Sequence, residues 1–148
     1  MSGPRRRSSR SASDLAYADT NLFVALLVGD GHPLHERALG IFRRVAGGDL
    51  GLIVAPIVVA ELVYVSRALL GWSRREVADR LGAMLEADGL ILAEGPTMLE
   101  ALHLYGERRR LDIADAYLAA AAVTIGPVSV ASFDTDLDGI EGVRRISA

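Results

Sequence analysis

Residues 52–65 read LIVAPIVVAELVYV, and the break inside that run decides how the rest of the chain divides. Leu52–Ala55 is a short aliphatic stretch of strand character. Pro56 stands where the first residue of a helix tolerates proline, because the missing N–H has no intrahelical partner there. Val58, Leu62, Val65 and Leu69 follow at helical spacing and give one apolar face that ends at Gly71. A short strand running straight into a helix is the unit of a parallel sheet covered by helices. Pro56 and Glu61 also interrupt the run too early for a membrane span, which needs about 18 or more consecutive apolar residues.

The same alternation continues in both directions. Upstream, Leu15–Asp19 reads as a strand, and a helix is predicted from about Asn21 to Val28. Gly29-Asp30-Gly31-His32-Pro33 is turn chemistry, and a second helical pattern over Leu34–Val45 stops at Gly47-Gly48-Asp49. Downstream, Ser73 and Glu76 have the spacing of a capping box and open a helix to about Asp88. Leu90–Ala93 is a third strand, followed by a helix from Thr97 to about Tyr105, a polar connection over 106–110 and an alanine-rich helix over Asp112–Ile125. Val128–Ala131 and Val143–Ile146 read as two last short strands. The expected fold is α/β: a three-layer α/β/α sandwich with a short, mostly parallel sheet of four to five strands. It occupies residues 14–148. Residues 1–13, MSGPRRRSSRSAS, lack an apolar segment, so they read as a disordered basic tail and not as a secretory signal.

All 16 basic residues are arginine, and there is neither lysine nor cysteine in the 148-residue chain. Disulfides, thiolate metal sites and cysteine nucleophiles are thereby excluded, and a reducing cytoplasmic setting is permitted. Without the four arginines of the tail, 12 basic residues face 19 acidic ones, a balance of −7. So acidic a domain is not a general nucleic-acid binder, and any such partner must be held by local arginines and a metal. Arg43, Arg44, Arg74, Arg75 and Arg108–Arg110 are the candidates for tracking a phosphate backbone, with solvated helix faces as their alternative reading.

In parallel sheets, ligands gather beyond the carboxyl ends of the strands, and that is where this chain places its acids. Asp19 closes the first strand. Glu61 lies one turn into the helix after the second. Asp112 and Asp115 stand three apart at a helix start, and Asp134 and Asp136 follow the fourth strand. Asp19 and Asp112 have a second reading as helix N-caps, and Asp115 as a first-turn carboxylate favoured by the helix dipole. Glu61 interrupts an aliphatic run beside Ile57, Tyr64 and Val65. A carboxylate there needs a partner, which without lysine means an arginine or a cation. Gathered together, such carboxylates repel one another unless a divalent cation with a taste for hard oxygen joins them. His32, His35 and His103 fall in turn or surface positions and supply no zinc set.

The segments YADTNLFVALL, APIVVAELVYV, LDIADAYLAAAA and VSVASFDTDL resemble, in order and spacing, the successive motifs of the PIN domain, over about residues 16–146. The compact size resembles the VapC-type toxins of bacterial toxin–antitoxin pairs. This resemblance implies an acidic quartet of Asp19, Glu61, Asp115 and Asp134, with Asp19, Asp115 and Asp134 as metal ligands. It implies supporting positions at Thr20, Asp112, Ser132 and Asp136. It further implies a metal-dependent endoribonuclease using magnesium, with manganese able to substitute, an RNA substrate, a cognate antitoxin partner and a homodimer.

Three other classes compete with this reading. Asp134–Gly139 matches the opening of a calcium-binding EF-hand loop, but Arg145 stands where its bidentate glutamate belongs. A magnesium-dependent phosphoacceptor-aspartate protein would use a lysine that this chain lacks. A PIN-like scaffold that binds RNA or a protein without cleaving remains the alternative.

Overall fold

The computed structural model describes residues 14–147; the predicted basic tail lies outside the described residues. The chain runs β1 (Asp14–Tyr17), α1 (Thr20–Val28), α2 (His35–Ala46), β2 (Leu50–Val54), α3 (Pro56–Ala68), α4 (Arg74–Leu85), β3 (Leu90–Leu92), α5 (Gly95–Glu107), α6 (Ile113–Ile125), β4 (Val130–Ala131) and β5 (Arg145–Ile146). Six helices and short parallel strands make a three-layer α/β/α arrangement.

Local chemistry sets most boundaries. Pro56 is the first residue of α3, as its missing N–H permits. At the start of α4, Ser73 Oγ accepts the Glu76 N–H at 3.1 Å, and the Glu76 carboxylate accepts the Ser73 N–H at 2.8 Å. Two of the four orphan N–H groups of the helix start are thus satisfied reciprocally.

β2 is the middle strand of a parallel sheet of order β1-β2-β3, with Asp14 opposite Leu50 and Leu52 opposite Leu90. Its sequence LGLIV is buried almost throughout, whereas β1 is exposed along its whole length. Gly51 permits the close approach of these two strands, since a Cβ there would lie 2.8 Å from the Leu15 side chain. β4 pairs in parallel with β5, Val130 opposite Arg145, as a separate two-stranded sheet. The single sheet of four to five strands expected from the alternation is therefore divided into three plus two. The reason is length. β4 has two residues and its ladder is completed by β5, with Val130 N–H on Arg144 O and Ser132 N–H on Ile146 O.

The core is continuous. Phe23 of α1, Leu62 of α3, Leu81 of α4, Leu102 of α5, Ile113 of α6 and Leu137 beyond β4 are all fully buried within it. Helices α4 and α5 touch closely at Gly106, where a Cβ would meet that of Ala78 at 2.7 Å. This contact fixes the end of α5, from which the chain turns into the acidic start of α6.

Candidate active site

The acids are carried on loop and helix ends, and each is best understood from its own hydrogen bonds. Asp19 occupies the N-cap position of α1 in extended conformation, yet its side chain makes no capping bond. The capping alternative does not hold for it. Next to it, the buried Thr20 donates its hydroxyl proton to Glu61 Oε2 across to α3. Glu61 itself is exposed, on one helix face with the exposed Ile57 and Tyr64. An arginine salt bridge, one of the two partners open to it, is absent among the described residues. The apolar stripe of α3 turns its other side to the core, so Glu61 did not need a buried counter-charge; a hydroxyl suffices.

Three residues further along the same face, Tyr64 donates its hydroxyl to Asp112, 3.0 Å from each carboxylate oxygen. Asp112 is the N-cap of α6 and accepts the Ile113 N–H at 2.7 Å. The cap reading thus holds for Asp112, and the Asp112 carboxylate in turn pushes the Tyr64 hydroxyl pKa above its usual range, chiefly through that hydrogen bond.

Asp115 lies one turn into α6. Its carboxyl is held above the ordinary carboxylate range, first by burial, then by a hydrogen bond with Asp134, then by the charges of Asp134, Asp112 and Asp136. Asp134 is set by its turn: its N–H donates to Ser132 Oγ at 3.0 Å, and its Oδ1 accepts the Asp136 N–H at 2.9 Å. Ser132 therefore orients the backbone of Asp134, and Asp134 orients that of Asp136. The structure brings Asp112, Asp115, Asp134 and Asp136 within electrostatic reach of one another. Glu61 is held by Thr20, the residue after Asp19, and lies on the face of α3 from which Tyr64 reaches Asp112.

Several partners were not foreseen from the chain alone. Tyr64 was accessible as a neighbour of Glu61 at helical spacing. Arg145 was not. It donates Nε and Nη2 to Asp138 at 2.8 and 3.0 Å, and Nη1 to the Ser132 carbonyl at 3.1 Å. Arg74, a candidate for a phosphate backbone or a solvated helix face, is neither: its guanidinium is half-buried. It donates to the carbonyls of Tyr105, Arg108 and Leu111. These carbonyls, at the end of α5 and in the turn after it, take the donors that a ligand would need.

A family profile, the PIN domain, matches residues 16–143. The chain belongs to the PIN domain family. PIN domains are in general metal-dependent nucleases that bind RNA and use divalent cations. Comparison with curated proteins and with solved structures gives no significant match. No helix among the described residues is long and apolar enough to cross a membrane.

The donor chemistry of this PIN domain suits a hard cation. Its clustered acids are oxygen donors, of the type magnesium and manganese take. The histidines are engaged elsewhere, His35 with the Ala25 carbonyl and Asp30, and His103 with Glu107. Burial first, and then the neighbouring carboxyls, raise the Asp115 carboxyl above its ordinary range. Among the described residues no group of three or more such side chains is drawn tightly enough to grip an ion. What the structure has in place is a carboxyl pair, Asp115 and Asp134, with Asp112 and Asp136 around it.

Proposed function

We propose that this PIN domain is a metal-dependent endoribonuclease that hydrolyses RNA phosphodiester bonds. The observation that carries the reading is the Asp115–Asp134 pair: both are partly buried, neither forms an ion pair with an arginine among the described residues, and burial together with the neighbouring carboxyls holds Asp115 above the usual carboxylate range. As a structural device such a pair is unfavourable; as part of a cation site it is useful.

Asp19, Asp115 and Asp134 are the residues that would hold magnesium, with manganese able to replace it, and Glu61 completes the acidic quartet. Bound there, the ion would lower the pKa of a water and stabilise negative charge at the phosphate. The protein's own contribution is orientation. Thr20 fixes the Glu61 carboxylate, Ser132 fixes the Asp134 turn, and Tyr64 with the Ile113 N–H holds Asp112 as a support at the start of α6. Asp136 stands beside Asp134 through its own N–H.

We further propose that the chain is a toxin of the VapC type, cytoplasmic, dimeric, and neutralised by a small antitoxin that covers the acidic cleft. The compact size of the chain, which resembles that of such toxins, supports this. A mixed RNA pool incubated with magnesium or with EDTA tests the activity. Cleavage that needs the metal and disappears in Asp115→Asn is expected. Binding of RNA without cleavage, equal in wild type and Asp115→Asn, would instead establish a non-cleaving scaffold. A short DNA-binding protein encoded beside the gene, which binds the chain and blocks cleavage, is expected for the toxin assignment.

A further inference from the structure

An open cleft of about 320 Å³ flanks the Asp134 turn, between residues 108–111 on one side and Thr135, Asp136 and Asp138 on the other. Both signs of charge line it, and the hydrogen bonds show which are already engaged. Arg74 donates Nη2 to Arg108 O at 2.8 Å and also to Leu111 O, and lies 3.7 Å from the centre of the Tyr105 ring. Arg108 crosses the cleft to the Gly139 carbonyl at 2.9 Å. Asp138 on the far wall is matched by Arg145. Leu111 is fully buried, and its N–H turns back to Arg108 O at 3.2 Å.

The segment 108–111 is thus pinned at both ends, and Arg109 and Arg110 project from it exposed. Neither makes a hydrogen bond or ion pair with any described residue. Their guanidinium forks match the spacing of phosphate oxygens. The opposite wall shares a turn with Asp134 through the Asp136 N–H, so whatever occupies the cleft lies next to the carboxyl pair. An acidic site repels a polyanion, and two unmatched cations beside it offset that repulsion where the strand must pass.

We propose that this cleft is a phosphate subsite for the RNA strand, in which Arg109 and Arg110 bind a phosphodiester neighbouring the one presented to Asp115 and Asp134. The identity of the strand rests on the ribonuclease reading; the anion site itself rests on the arginines.

The test uses the full chain carrying Asp115→Asn, so that the strand survives, and a fluorescein-labelled single-stranded RNA of mixed sequence. Adding Arg109→Ala and Arg110→Ala is expected to weaken binding roughly tenfold at near-physiological salt. It should lower the slope of log Kd against log salt by about 0.7 to 1.4, the share of one or two phosphates on a single strand. Lysine at both positions should restore most of the slope. The charge-matched change Arg37→Ala with Arg80→Ala should alter affinity by no more than about twofold, since a diffuse field is then not responsible. In a second measurement, inorganic phosphate titrated into the full chain should shift the side-chain Nε–H resonances of Arg109 and Arg110. Unchanged affinity and salt slope without the two arginines, or an equal loss in the control, would overturn the subsite. The two readings fail separately. Wild type that does not cleave while the arginine pair still governs the slope removes the ribonuclease and keeps the cleft. Wild type that cleaves, with unchanged KM in Arg109→Ala/Arg110→Ala, removes the cleft and keeps the ribonuclease.

Discussion

Asp115 and Asp138 are two aspartates within reach of one loop cluster, and their surroundings push them in opposite directions. Asp138 lies in the bidentate grip of Arg145, which holds its carboxyl below the usual range, chiefly by hydrogen bonding. Asp115 meets burial first and other carboxyls next, so it is held above that range. One acid is complete in the protein alone. The other has no such partner among the described residues. The difference separates an acid that shapes the loop from one that, on the proposed reading, a cation would complete.

The strongest way to break this contrast is to neutralise the unmatched pair. Asp115→Asn and Asp134→Asn are each expected to reduce metal-dependent RNA cleavage by roughly 100-fold or more, measured as initial rate on a labelled strand. Asp138→Asn should cost cleavage far less, because its charge is already matched.

Stability should then move against activity. Without metal, Asp115→Asn relieves the pair and is expected to raise the thermal midpoint. The helix dipole pulls the other way, since Asp115 is a first-turn residue of α6, but its contribution is only about 0.3–1 kcal/mol. Magnesium should raise the midpoint of the wild type, by about 2.7 kcal/mol of stability at a concentration 100 times Kd, and should lose most of that effect in Asp115→Asn. Thermal melts with and without the ion decide both points. An Asp115→Asn chain that melts lower and still responds fully to magnesium would restore the helix-start reading of this residue.

The pH dependence sharpens the comparison. For Asp115 the folded state holds its proton more tightly than the unfolded chain. Its effect is therefore most favourable below the ordinary carboxylate range and is lost as pH rises through the raised value. Asp138 has the opposite sign: its contribution is present above the unfolded value and is lost as pH falls through the lowered one. Glu76, lowered mainly by the Ser73 N–H, adds to that acid-side loss. Urea midpoints between acid and neutral pH should thus lose their decline on the rising side in Asp115→Asn, and part of their acid-side fall in Arg145→Gln.

The smallest effect is expected from Tyr64→Phe. It removes the hydroxyl shared by both oxygens of Asp112 while leaving the cap to Ile113 N–H, so it should cost about 0.5–1.5 kcal/mol in urea unfolding. A drop in cleavage as large as that of Asp115→Asn would show that Tyr64 does more than hold Asp112.

The chain by itself determined what short-range chemistry controls. The strand-to-helix junction at Pro56 and the Ser73–Glu76 box are both in the structure, and helix α6 begins at the Asp112 cap. The acids that follow strands were legible too, because strand ends and helix starts are marked by local residue types. What only the tertiary structure decided was the compensation of charge and the extent of the sheet. Arg145 reaches Asp138 after the chain turns back through β5, and Arg74 reaches the Arg108 and Leu111 carbonyls across α4 and α5. Glu61 is exposed because α3 is rotated to bury Leu62 and Val63 instead. The sheet is divided, with β4 paired to β5 and to none of β1, β2 and β3. Hydrogen bonds between residues far apart in the chain depend on how the whole chain closes, and no window of sequence carries that information.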